Sequence, residues 1–259
     1  MPVKAPPISV EQVDSRALAL SYAQVRDRAA TAARRAGRVP EEITIVAVSK
    51  ARPLADVEAL FRLGHRNFGE NRVEEGSQKA LEAAATFAPH ADPIIWNMIG
   101  HIQSRKAKTA VAAFAHIHSL DSVRLAQRLS RFAAEQGKTV PLLLECNVSA
   151  EASKHGFVAA QCASNTEQWA ALTEAVTRIM ELPRLEIRGL MTMAPVVPNP
   201  EAARPHFRAL RDLRDRLDAR FPSADWEQLS MGMTDDFEVA IEEGATLLRV
   251  GRAIFGERS

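Results

Sequence analysis

The chain is poor in several residue types, and each scarcity narrows its chemistry. It holds one tyrosine, Tyr22, and two cysteines, Cys146 and Cys162, in 259 residues. The cysteines form no metal-type pair, and Cys146 sits inside an apolar run, as a reduced buried thiol of a cytosolic protein would. No stretch approaches the roughly 20 apolar residues needed to span a bilayer. The opening MPVKAPPISVEQ has no apolar core of signal-peptide length, so the chain reads as soluble and cytoplasmic. An excess of one charge is also missing: 33 basic against 32 acidic residues give a net charge of +1. That balance excludes a global attraction for nucleic acid or anionic membrane. Residues 204–220 (RPHFRALRDLRDRLDAR) interleave the two signs as the solvated face of a helix does, without the aromatic or glycine spacing of an RNA-binding stripe. No G-x-G-x-x-G follows any apolar run, which argues against a dinucleotide-binding sheet.

What is present is alternation. The spacing of Leu18, Tyr22, Val25, Ala29 and Ala32 predicts a helix over about 10–36, stopped by Gly37. Short apolar runs then predict strands at 43–49, 67–69, 94–99, 116–120, 141–148, 186–191, 226–230 and 246–250. Amphipathic stretches predict helices at 57–63, 72–87, 103–114, 122–136, 168–181, 200–221 and 236–243. Eight such units in 259 residues, with no composition shift or long linker, fit one closed (β/α)8 barrel of the TIM type with an extra N-terminal helix. A doubly wound open sheet is the alternative.

Function in such barrels collects at the carboxyl ends of the strands. Lys50 closes the first strand, where partial desolvation disfavours the ammonium form and favours an amine able to condense with a carbonyl. A snorkelling lysine at the solvent edge is the plainer reading. The second strand is followed by Gly69-Glu70-Asn71, and the third by Gly100-His101. Asp121 follows the fourth, Asn147 lies near the end of the fifth, and Met191-Thr192-Met193 ends the sixth. The seventh gives Ser230-Met231-Gly232 and the eighth Gly251-Arg252. Loops after the last two strands are the usual phosphate site of this fold, because glycine lets backbone N–H groups approach an anion. Both segments also fit ordinary tight turns. Asp235 and Asp236 read as the start of the next helix, with side chains facing away from any phosphate. A lysine and a phosphate pocket on one rim point to a Schiff base with a phosphorylated aldehyde, either a sugar phosphate or pyridoxal 5′-phosphate (PLP).

Several segments carry a resemblance. AVSK ending in Lys50, FGENRVEE (68–75), IGHIQSRK (99–106), HSLDS (118–122), SAEASKHGF (149–157), RGLMTMAP (188–195), LSMGMTDDFEVAIEEG (229–244) and RVGRAIFGER (249–258) resemble the pyridoxal phosphate homeostasis proteins. That family is similar to the N-terminal barrel of alanine racemase, the PLP fold-type III. The resemblance implies PLP held covalently on Lys50 as an internal aldimine, with Asn71 near the ring and Arg249 facing the pyridine nitrogen. It implies phosphate held by Ser230, Gly232 and the backbone at Gly251-Arg252, and Met191 is counted with this cofactor-binding set. A cation at the ring nitrogen keeps it unprotonated and makes the ring a weaker electron sink. Without its glycine neighbours Arg249 would read as a surface fork. The chain departs from the family where members commonly carry threonine and it has Arg252. It departs again where WHFIG becomes Trp96-Asn97-Met98-Ile99-Gly100, and where the GENY tyrosine becomes Arg72.

A racemase needs an acid–base group on each face of the substrate carbon. Alanine racemase brings a tyrosine from an added domain, whereas this sequence ends just past the eighth strand, and Tyr22 falls on a buried stripe. His101 and Cys146 are the substitutes one could name, with plainer readings as a helix start and a core thiol. The expected function is therefore a non-catalytic, monomeric carrier or buffer of PLP that serves apo PLP-dependent enzymes, with Lys154 a candidate second amine. A small fold-type III racemase is the alternative. A Schiff-base aldolase is a second one, with Glu70 as its acid–base. A metal hydrolase built on His116 and His118 ranks last, because no further ligands stand at the other strand ends.

Overall fold

The computed structural model describes residues 14–87, 93–151 and 154–257, so positions 10–13 of the expected first helix, Ala152-Ser153 and Arg258 lie outside the described residues. Among the described residues nine strands occur in chain order: β1 (Thr44–Val48), β2 (Asn67–Glu70), β3 (Ile95–Met98), β4 (His116–Leu120), β5 (Val140–Asn147), β6 (Phe157–Val158), β7 (Leu185–Met191), β8 (Gln228–Ser230) and β9 (Leu247–Val250). All pairings are parallel. β1 pairs with β2 and β9, and β4 with β5, so eight strands close a barrel while β6 is a two-residue spur on the end of β5. Strands buried on both faces read as continuous apolar runs, which is why TIVAV and VPLLLECN lack strict alternation.

The helices are α1 (Ser15–Arg35), α2 (Leu54–Arg62), α3 (Val73–Phe87), α4 (Ala107–Ala113), α5 (Val123–Glu135), α6 (Thr166–Met180), α7 (Arg204–Arg220), α8 (Phe237–Glu242) and α9 (Arg252–Phe255). α1 buries the stripe foreseen from its spacing and packs on α2, α8 and α9. Tyr22 lies on that stripe, 9% exposed, and its hydroxyl meets His65 Nδ1 at 2.9 Å. The helix expected over 103–114 begins as a 3-10 turn, Ser104–Lys106. The one over 200–221 begins as another, Pro200–Ala203, and Pro205 then occupies the first turn of α7, where its missing N–H costs nothing. The strand expected from 226 starts at Gln228, because Trp226 turns into the core and its Nε1 donates to Phe221 O at 3.0 Å.

Two groups fill the barrel. Leu143, Met191 and Leu247 form an apolar plug. Beside it, Asn97, His118, Ser230 and Arg249 form a buried, hydrogen-bonded polar group. Among the described residues no helix is long and apolar enough to cross a membrane.

Candidate active rim

Lys50 lies two residues beyond β1, half-buried, on a turn that the backbone would not adopt unaided. Ala51 has φ +58°, in the left-handed region that costs a residue with a Cβ about 1 kcal/mol or more. A buried ion cluster holds the turn. Lys79 of α3 donates to Ser49 O at 2.6 Å and reaches Glu70 Oε1 at 2.8 Å and Glu75 Oε1 at 2.9 Å. Ala51 N–H donates to the same Glu75 oxygen at 2.5 Å. Glu70 also accepts from Ser49 Oγ at 2.8 Å. It faces the helix layer, away from the rim, so the acid–base that an aldolase reading needs is not where that reading requires it.

The rim opens into a cavity of about 480 Å³, within the range of small-molecule sites. Lys50, Asn71, Arg249, Gly251 and Arg252 line it, and Val48, Ile99, Met193 and Phe255 supply apolar wall. The Asn71 side chain brings a buried Oδ1 that has no hydrogen-bond partner.

Arg249 is 4% exposed and so is no surface fork. It donates to Ser230 Oγ and to Thr192 O, both at 2.7 Å. Burial pulls its pKa down to about 10, against the opposing pull of Glu145 and Asp236, and it remains cationic at neutral pH. His118 lies beneath it, with Nδ1 3.0 Å from Ser230 Oγ and Nε2 3.2 Å from Asn97 Oδ1. Asn97 Nδ2 donates to Phe68 O, so its Oδ1 must accept from His118, which leaves Nδ1 to accept the serine proton. Burial, and next the Arg249 charge, hold His118 well below its usual pKa, consistent with this neutral tautomer.

Three expected members do not line the cavity. The Ser230 hydroxyl is fully buried and already shared by Arg249 and His118. Met191 is fully buried in the apolar plug. Gly232 has φ +90°, and a Cβ there would lie 2.6 Å from Ala240 Cβ, so this glycine lets α8 pack under the turn. Its carbonyl accepts from Arg249 N at 3.0 Å. Met233, Thr234 and Asp235, the next residues along, line the cavity instead. Thr234 carries no glycine signal in the sequence; its Oγ1 accepts from Ala253 N at 3.3 Å and joins the turn after β8 to the one after β9. Asp235 corrects a further expectation. Its carboxylate, still largely exposed, pairs with Arg252 at the cavity edge, and Arg252 also reaches Glu257 at 3.3 Å, because a guanidinium half-exposed at the rim draws the nearest anions. Asp236 accepts from Met233 N at 2.6 Å and closes the turn before α8. Lys154 is tied to Ser149 Oγ, Glu151 Oε1 and Met193 O at 3.0–3.2 Å. Cys146 is buried, with its thiol pKa pushed far up by desolvation.

A barrel with an amine, a buried cation and two glycine-bearing turns at one rim defines a class, and comparison with known proteins agrees with it. The model of the alanine racemase N-terminal domain matches residues 20–259. The pyridoxal phosphate homeostasis protein of Escherichia coli is 37% identical over 244 residues, which is 93% of this chain and 97% of that one. That of Pseudomonas aeruginosa is 40% identical over 243 residues, 93% and 96% of the two chains. Among solved structures, PipY of Synechococcus elongatus with PLP bound is 32% identical, with a TM-score of 0.73 over 92% of this chain and all of that one. Alanine racemase from Clostridium difficile, at 13% identity and a TM-score of 0.71 over 93% of this chain and 60% of that one, shares the fold. The chain belongs to the alanine racemase N-terminal domain family and, within it, to the pyridoxal phosphate homeostasis proteins.

Proposed function

We propose that this chain binds PLP through Lys50 and carries or buffers it for apo PLP-dependent enzymes, without catalysing a reaction of its own. The observation that carries the reading is the convergence of Lys50, Asn71, Arg249 and the Gly251-Arg252 turn on one cavity of about 480 Å³. The donor set fits the cofactor. Lys50 supplies an amine, Asn71 an acceptor without a partner, Arg249 a buried cation for the ring side, and the turns at Met233-Thr234 and Gly251-Arg252 supply N–H groups and charge for a phosphate. Bound there, the cofactor supplies an aldehyde that condenses reversibly with amines, and the open rim lets a second amine reach it.

Release rather than turnover follows from what the wall lacks. Among the described residues lining the cavity there is no tyrosine, histidine or cysteine. Tyr22 is engaged with His65, and Cys146 is buried with a raised pKa. Asp235 and Glu257 are carboxylates on the wall, but both are paired with Arg252. Among the described residues a racemase reading therefore finds no second acid–base group on the cavity wall that is not already paired with Arg252. In the test, the loaded protein is mixed with an apo PLP-dependent enzyme and the recovered activity is followed, while α-proton exchange of alanine and serine is measured in heavy water. The carrier reading expects reactivation of the acceptor and exchange far below enzymatic turnover. Exchange near the ~10 s⁻¹ typical of enzymes would overturn it.

A further inference from the structure

We infer that His101, Asp121 and His155 form a binding site for a divalent transition-metal ion of the zinc class, on the rim beside the cofactor cavity. Each side chain offers one ligand atom, and these atoms all lie within 4.8 Å of one another. The three come from separate loops: His101 follows β3, Asp121 follows β4, and His155 stands between β5 and β6. Two contacts hold the group together. His101 Nδ1 meets Asp121 Oδ2 at 2.7 Å, and the His101 and His155 rings stack with centroids 4.2 Å apart and planes 14° from parallel, so one ring turns about its own axis for both to direct a nitrogen at one ion. Donors around a tetrahedral Zn²⁺ at ~2.0–2.1 Å from the metal stand about 3.4 Å apart, so atoms within 4.8 Å of one another need to draw together by up to about 1.4 Å.

The donor types select the ion. Two imidazoles and one carboxylate suit zinc and its first-row neighbours, whereas magnesium and calcium prefer all-oxygen sets. Three protein ligands leave a coordination position open to water or a small anion. A second, independent observation points the same way. Glu145, on β5, is 4% exposed, and its Oε2 is buried without a hydrogen-bond partner. Burial and then the Asp121 charge disfavour its ionised form, while Arg249 and, after it, His101 favour it. A dication beside Asp121 would relieve that crowding of carboxylates.

Neither His116 nor His118 belongs to this group, since His118 spends both nitrogens on Asn97 and Ser230. The test uses the untagged full chain as purified, dialysed against Zn²⁺ and assayed for bound metal, alongside His101→Gln, His155→Gln and His116→Gln. The expected result is one zinc per chain, with affinity falling at least ~10–100-fold in each of the first two variants and unchanged in His116→Gln. Mg²⁺ at the same concentration should not bind. Circular dichroism and PLP content of the variants separate loss of the site from loss of the fold. Sub-stoichiometric zinc, or zinc retained equally by His101→Gln and His155→Gln in folded protein, would overturn the assignment.

Discussion

Arg252 carries its charge into a cavity where Asp235 and Glu257 already answer it. Replacing it with the threonine common in the family should therefore change PLP affinity by less than about tenfold, because the guanidinium must give up one pair to form another. Removing the phosphate from the ligand is a different matter. Each charge-assisted bond is worth ~1.5–3 kcal/mol, so pyridoxal should bind at least ~100-fold more weakly than PLP. Spectroscopic titration of both ligands into both proteins checks this, and equal affinity for pyridoxal and PLP would remove the phosphate site. His65 makes a separate prediction about pH. Burial lowers its pKa from 6.5 to about 4 in the folded chain. Between these values the unfolded chain holds a proton that the folded one refuses. The stabilisation is thus fully present above pH 6.5 and is lost as pH falls toward 4, by up to ~3 kcal/mol. His118 acts in the same direction. Glu145, raised to about 7, opposes them, since its contribution is lost as pH rises from 4.5 to 7. Denaturant unfolding at pH 7.5 and pH 5 should therefore show a larger loss for the parent chain than for His65→Gln. Equal losses would mean that His65 is not buried as the neutral imidazole.

At the scale of elements, the join between β1 and α2 depends on α3. Lys79 bridges Ser49 O, Glu70 and Glu75, and Glu75 accepts the strained Ala51 N–H. Lys79→Met leaves a buried Glu70 carboxylate unpaired, which costs on the order of 3–5 kcal/mol. It should also weaken PLP binding by loosening the turn that carries Lys50. Adding Glu70→Gln should recover part of the stability, and a double variant no better than Lys79→Met would contradict this account. The same elements explain what could be read from sequence. The barrel was legible because every strand is a short apolar run between amphipathic helices. The stripe on α1 was legible from its spacing. The Lys79 cluster was not, because its partners lie 4, 9 and 30 residues away and nothing local marks them as neighbours. The spur β6 and the short α9 escaped because two and four residues carry no periodicity.

At the scale of the molecule, closing the sheet brings residues from β1, β2 and β9 to one rim, while Met191, Ser230 and Gly232 stay below it. Ser230 and Gly232 were read from the chain as ligand groups because glycine-rich turns in the last two loops mark a phosphate site. A sequence does not reveal that one glycine admits a helix, or that one hydroxyl is already spent on Arg249. Gly189 is a similar case. It has φ +142°, and a Cβ there would lie 1.9 Å from Gln228 O across the β7–β8 pair. Borohydride tests the covalent attachment of PLP to Lys50 most directly. Protein loaded with PLP, reduced, digested and mapped by mass should carry the reduced phosphopyridoxyl adduct on Lys50, and Lys50→Ala should lose both the adduct and the visible band. A freshly prepared Lys50→Ala variant that keeps the band and is modified at another lysine would contradict the account.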